Sequence, residues 1–252
     1  MKIMTDLHLH SCLSPCGDDD MTPYDLVGMS LLAGRQLIAL TDHNTARNCP
    51  AAASAAAGYG IVFIPGIEVT TSEDIHAICL FPDLDAAMEF GRFLYGHLPD
   101  IPNRPEIFGQ QIICNREGSP CGTESRLLIA GSDISILDLP GIAAGYGAIC
   151  YPAHIDREGS GLLSSLGAWP AELDVHAAEV RGELKVESGE WRVESGGLGF
   201  LIPGGLKIIR ASDAHSLRGI PDKGFPIELE SIDFTALAAW IRSDAELHDT
   251  PL

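Results

Sequence analysis

The amino-acid sequence predicts an α/β fold, either a barrel or a doubly wound sheet, and three observations carry that expectation. Short β-like runs alternate with helix-like segments along most of the chain. A length of 252 residues is enough to bury one large core. Most histidines and acids suited to holding a metal stand at the ends of the β-like runs, and in parallel α/β folds the loops after the strands open on one face.

Eight strands are expected, in the order KIMTDLHL, QLIALTDH, IVFIPGIEVT, HAICLF, AICYPAH, DVHAAEV, LKIIRASDAH and FPIELE. The first helix is TPYDLVGMSLLAG, with Thr22 placed to cap it, Pro23 at its first position and Gly34 ending it. RNCPAAASAAAGYG, LDAAMEFGRFLYGHL and the closing DFTALAAWIRSDAEL are the other clear helices. Two stretches break the alternation. Residues 99–134 are rich in Pro, Asn, Arg and Gly and read as an insertion, a lid or small lobe beside the site. Residues 181–197 carry ELKVES and EWRVES at nine-residue spacing and read as a small hairpin.

Composition narrows the class. Hydrophobic residues make up 46% and charged residues 20% of the chain, as in ordinary globular proteins. The most apolar stretch, PAAASAAAGYGIVFIPG, is broken by Gly58, Gly60 and Pro65, so no membrane span is expected. The start turns polar too early for a secretory signal, and a cytoplasmic protein is expected. Seven cysteines without a CxxC pair argue for reduced thiols over a disulfide framework. A net charge of −19 disfavours long nucleic acid as a partner.

The chemistry lies in six separated segments. DLHLH supplies His8 and His10, LTDH supplies Asp42 and His43, and PGIEVT supplies Glu68. His76, His154, Asp213 and His215 follow in EDIHAICLF, YPAHIDR and ASDAHS. Any one of these alone reads most simply as a hydrogen-bonded core or surface residue. His97, His176 and His248 are given that reading, and Asp18–Asp20 are read as an acidic turn that lacks the glycine and distal glutamate of a calcium loop. Six such segments in fixed order point instead to a polynuclear metal site.

DLHLHS, LTDHN, PGIEVT, IHAICLF, YPAHIDR and SDAHS together resemble the PHP (polymerase and histidinol phosphatase) family of metal-dependent phosphoesterases, from Met1 to about Glu230. The resemblance implies a distorted (β/α)7 TIM-like barrel with two to three divalent ions, zinc, manganese or iron, at its carboxyl end. Position by position it implies that His8, His10, Glu68 and Asp213 hold one ion. Glu68 would bridge to a second, held with His76 and His154. His43, His215 and Cys16 would hold a third. Cys16 departs from the family's usual histidine and favours zinc there, with Cys12 a weaker competitor. Asp42 is expected to orient a ligand, and Arg157 and Arg47 to clamp phosphate.

The implied reaction is hydrolysis of a phosphate ester, a small phosphomonoester or a nucleotide, with Glu68, Asp213 and His215 as catalytic residues. Two cations about 3.5–4 Å apart can bridge a water and present hydroxide in line with phosphorus. Two other readings compete. HxH on a first strand also begins the amidohydrolase pattern, but Lys2, Lys185, Lys207 and Lys223 offer no lysine on a middle strand for carboxylation. A metal-stabilised module without activity would show a damaged ligand set.

Overall fold

The structure is a computed structural model that describes residues 1–243; His248 and the last residues of the expected helical stretch DFTALAAWIRSDAEL lie outside the described residues. The first half runs β1 (Lys2–Asp6), α1 (Pro23–Leu32), β2 (Leu37–Leu40), α2 (Cys49–Tyr59), β3 (Val62–Thr70), β4 (His76–Leu80) and α3 (Leu84–Gly96). The second half begins with α4 (Pro105–Phe108), β5 (Ile112–Cys114), β6 (Pro120–Thr123), α5 (Leu139–Ala144), β7 (Ile149–Pro152) and α6 (Leu162–Leu166). It closes with β8 (Ala177–Glu179), β9 (Leu184–Glu187), β10 (Glu190–Ser195), β11 (Leu198–Ile202), β12 (Lys207–Ile209), β13 (Phe225–Glu228) and α7 (Phe234–Arg242). All eight expected strands form, and each clear helix occupies its expected stretch. Thr22 caps α1 by accepting from Asp25 N at 3.2 Å, and the chain turns out of that helix at Gly34 with φ 78°.

The main sheet is mixed, in the order β13-β1-β2-β3-β4-β7. Strands β1, β2 and β3 are parallel, while β4 runs antiparallel to both β3 and β7. A parallel pair, β8 and β12, carries the sheet onward: Ile155 N donates to Glu179 O at 2.9 Å just beyond β7. The far end of that pair returns to β1, where Leu9 bridges Ala214. The result is a curled half-barrel.

The curl follows from two-sided burial. The four residues of β2, LIAL, are all fully buried, Leu37 and Ala39 on one face and Ile38 and Leu40 on the other. The concave face gathers Ile3, Ile64, Ile78 and Tyr151, and Leu237 and Ile241 of α7 plug it from below. The convex face packs beneath α1, α2 and α3. Apolar burial of this kind contributes about 1.5–3 kcal/mol for each large side chain.

The two irregular stretches differ from one another. Residues 99–134 include α4 and the β5–β6 hairpin, and they pack on the loop after β1: Ile112 N donates to Cys12 O at 2.7 Å and Cys16 N to Phe108 O at 3.1 Å. Residues 181–197 form the expected hairpin, and a further strand, β11, extends it to a three-stranded meander. Its turns, Ser188-Gly189 and Gly196-Gly197, have positive φ at both central positions, which suits two-residue hairpins. Among the described residues no helix is long and apolar enough to cross a membrane.

Candidate metal centre

The chain leaves the ladder after Asp6 and presents His8 and His10 at the mouth of the curl. Asp213 N donates to His8 O at 3.0 Å and His10 N to Ala214 O at 3.1 Å, so the two histidines lie beside Asp213 although they stand 205 and 203 positions before it in sequence. A second bridge sets His43 next to Glu68. His76 is an exception to the expectation that most ligands stand at the carboxyl ends of strands: it is the first residue of β4. Because β4 is antiparallel and pairs Thr70 with His76, its amino end opens on the same face.

Glu68 is fully buried at the centre of these histidines. Its Oε1 lies 2.9 Å from His76 Nδ1, 3.1 Å from His154 Nε2 and 3.3 Å from His8 Nε2. Its Oε2 lies 3.0 Å from His43 Nδ1 and 3.2 Å from His10 Nε2. Asp213 Oδ1 is 3.3 Å from both His8 and His10 Nε2. Donor atoms mutually within 4.8 Å form three groups among the described residues: His8, His10, Glu68 and Asp213; His43, Glu68 and His76; and His10, His43 and His215.

Outer partners fix which nitrogen faces inward. His8 Nδ1 is 2.9 Å from Glu179 Oε2, so it donates there and turns the Nε2 lone pair to the centre. Ser14 Oγ donates to Asp42 Oδ1 at 2.7 Å, which leaves it to accept from His10 Nδ1 at 2.8 Å. Asp42 therefore orients His10 through Ser14, and also accepts from Ser11 N and Oγ at 2.7 Å each. The Nε2 atoms of His8 and His10 then face each other at 3.0 Å. Two lone pairs so close repel unless a cation or a proton stands between them. Glu68 Oε2, Asp213 Oδ1 and His43 Nδ1 are buried without a well-oriented hydrogen-bond partner, which costs about 1–3 kcal/mol each. This donor set fits divalent metal.

The electrostatics agree. Burial pulls His43 down to about 4 and, with the charge of His10, His215 to about 3, so both imidazoles are neutral and ready to ligate at pH 7. Burial also works against a charge on His10, but the Asp213 and Glu68 carboxylates beside it outweigh it and raise its pKa to about 9. For His8, burial is outweighed by Glu179, Glu68 and Asp213. Burial opposes ionisation of Glu68 and Asp213, yet the surrounding histidines hold both well below the usual carboxylate range. Strain accompanies this packing: His154 has φ 25° and Asp213 φ 52°, conformations that cost about 1–3 kcal/mol for residues with side chains.

Not every expected residue joins the centre. Cys16 sits on a left-handed turn (φ 66°), exposed at the surface and outside the three donor groups; partial desolvation of its sulfur and the charges of Asp213 and Glu68 raise its pKa. Cys12 points to Cys114, with Sγ atoms 3.9 Å apart. Arg47 is tied to Glu124 of the insertion at 2.7 Å. Arg157 Nη1 reaches Asp213 Oδ2 at 3.0 Å. His97 pairs with Asp133 at 2.6 Å and His176 is exposed, away from the donor groups. Glu179, Ser14 and Arg181 escape sequence reasoning, and the one available signal for Glu179 is an acid closing the apolar strand HAAEV.

No family model matches the chain. A 73-residue stretch is 38% identical to the 3′,5′-nucleoside bisphosphate phosphatase of Chromobacterium violaceum, covering 29% of this chain and 25% of that protein. Among solved structures, the lesion-specific endonuclease Q of Pyrococcus furiosus superposes with a TM-score of 0.66 at 16% identity, over 96% of this chain and 56% of the endonuclease. A candidate metal-dependent phosphoesterase from Bifidobacterium adolescentis gives 0.53 at 17% identity, over 93% of this chain and 94% of the other. The structural likenesses show a shared curled α/β fold, and the phosphatase match is confined to a quarter of that relative. The resemblance carried by the six motifs therefore holds.

Proposed function

We propose that the protein hydrolyses a phosphate ester, a small phosphomonoester or a nucleotide, with two to three divalent ions held by this centre. The observation that carries the reading is the convergence of five histidine nitrogens on buried Glu68, none farther than 3.3 Å. His8, His10, Glu68 and Asp213 would hold one ion, and Glu68 with His76 and His154 a second. His43 and His215 would hold a third with Cys16, or with His10 as the donor grouping favours. Bound there, the cations would acidify a water towards neutrality and offset phosphoryl charge.

The chain's own residues do the rest. Glu179 and the Asp42–Ser14 relay hold His8 and His10 in the ligating tautomer. Glu68 and Asp213 keep the inner wall negative, and His215, neutral at pH 7, is placed to exchange a proton at the mouth. Arg157 stands on Asp213 and can turn a free N–H towards a phosphoryl oxygen.

The curled sheet supports a distorted (β/α)7 barrel built from β1, β2, β3, β4, β7, β8 and β12. Residues 99–134, seated against the loop after His10, are placed to shape substrate choice. The local relative acts on a nucleoside bisphosphate, which favours a small substrate, whereas endonuclease Q has been seen with a DNA duplex, so DNA belongs in the test. Seven free cysteines and the acidic charge suit a cytoplasmic setting.

The test is elemental analysis of the purified protein, with phosphate release measured on a panel of monoesters, nucleotides and oligonucleotides. A chelator should abolish release, and manganese or zinc should restore it. A fully metallated protein that cleaves an amide or lactone but no phosphate ester would transfer the reading to amidohydrolase chemistry.

A further inference from the structure

Asp213 faces two ways. Its Oδ1 looks inward to His8 and His10, while its Oδ2 is approached by Arg157 Nη1 at 3.0 Å and Arg181 Nη1 at 3.6 Å. The carboxylate is 4% exposed, but the two arginines are 42% and 51% exposed. They form a positive rim outside the donor groups on a chain whose net charge is −19.

Their placement is enforced by the backbone. Each arginine follows a residue of the centre, Arg157 three positions after His154 and Arg181 two after Glu179. Arg157 N donates to His154 O at 2.8 Å, and Gly161 closes that loop so tightly that a Cβ there would lie 2.3 Å from Arg157 O. The other loop is held from both sides. Asp156 accepts from Arg181 N at 3.0 Å and Gly182 N at 2.6 Å, while Arg210 donates to Val180 O at 2.8 Å and Gly182 O at 2.6 Å. Two buttressed loops thus carry two guanidinium groups to one oxygen.

We infer that Arg157 and Arg181 form an anion-binding rim that makes the site select phosphomonoesters over phosphodiesters. This rests on the phosphoesterase reading. A monoester, with its second pKa near 6, carries up to about two charges at pH 7, and a diester carries one. Screening confines attraction to about 8 Å at physiological salt, so the rim and not the acidic surface governs how an anion enters. Each guanidinium keeps further N–H donors beyond the one aimed at Asp213, matching the paired oxygens of a terminal phosphoryl group. A diester offers one charged oxygen fewer for the two guanidinium groups to bind. In hydrolysis a water oxygen bonds to phosphorus, the ester P–O bond breaks, and a water proton ends on the departing oxygen. The arginines position the phosphoryl group and exchange no proton.

The test uses manganese-loaded protein and two readouts: inorganic phosphate binding by calorimetry, and kcat/KM for p-nitrophenyl phosphate and its methyl diester. Arg181→Gln should weaken phosphate binding about tenfold and lower monoester kcat/KM about 10- to 100-fold, with diester turnover changed less than about threefold. Arg157→Gln with Arg181→Gln should erase the monoester preference, and Arg181→Lys should fall between. Metal content and melting temperature should match the parent protein in each variant. Unchanged phosphate binding, or equal loss on both esters, overturns the rim. If the parent protein cleaves neither ester while phosphate binding still depends on Arg181, anion binding at the rim stands, and the phosphoesterase reading falls together with the ester selection that rests on it. If the esters are cleaved with a ratio insensitive to both arginines, the reading stands and the rim falls.

Discussion

In the metal centre, Glu68 is fully buried within 3.3 Å of five histidine nitrogens, whereas in the β9–β11 meander Glu187 meets Arg192 at 3.0 Å with both side chains about half exposed. The two acids have equally close partners and opposite energetics. Water already solvates the Glu187 pair, so the contact adds little. Glu68 is fully buried, and every charge there depends on its neighbours. The meander is held by local turns and Trp191 burial; the centre is built from charges packed against one another.

This contrast can be broken in graded steps. Manganese at a thousand times its Kd should stabilise the protein by about 4 kcal/mol, a rise in Tm of roughly 8–16 °C in thermal melts, and mutations in the meander should leave that increment intact. Glu179→Gln removes the acceptor of His8 and should weaken metal binding about 10- to 100-fold in a chelator competition, with little change in the metal-free melt. Gly197→Ala forces a side chain into φ 77° and should cost about 1 kcal/mol in denaturant unfolding, with metal content unchanged. Glu187→Ala, on the exposed pair, should cost less than about 0.5 kcal/mol by the same measurement. Alkylation of Cys16 sharpens the boundary of the centre: protection by metal places its thiol among the ligands, and equal labelling with and without metal leaves the third group to His10, His43 and His215.

Much of this was legible because it is local. An all-apolar LIAL reads as a strand buried on both faces, and HxH at a strand end reads as two ligands on one side. Thr22 and Pro23 announce α1. What stayed hidden depends on topology. Nothing in HAICLF says that its strand runs antiparallel, yet that reversal is what brings the first residue of the strand, His76, to the mouth. Glu179 looks like the polar end of an apolar strand until β8 is set beside His8, 171 residues away. Arg47 and Arg157 are equivalent by sequence, each a few residues past a histidine; the insertion supplies Glu124 to the first, and the centre supplies Asp213 to the second. Cys16 has the right spacing from His10 but a turn conformation that leaves it at the edge.

Glu68 as a bridge between two ions is the claim on which the rest depends, and metal stoichiometry of Glu68→Gln tests it most directly. The substitution keeps the side chain's shape and removes its charge. With folding verified by circular dichroism, elemental analysis should show that the variant holds at least two fewer divalent ions per chain than the parent protein. A loss of one ion or none, in a folded variant, would contradict a bridging Glu68.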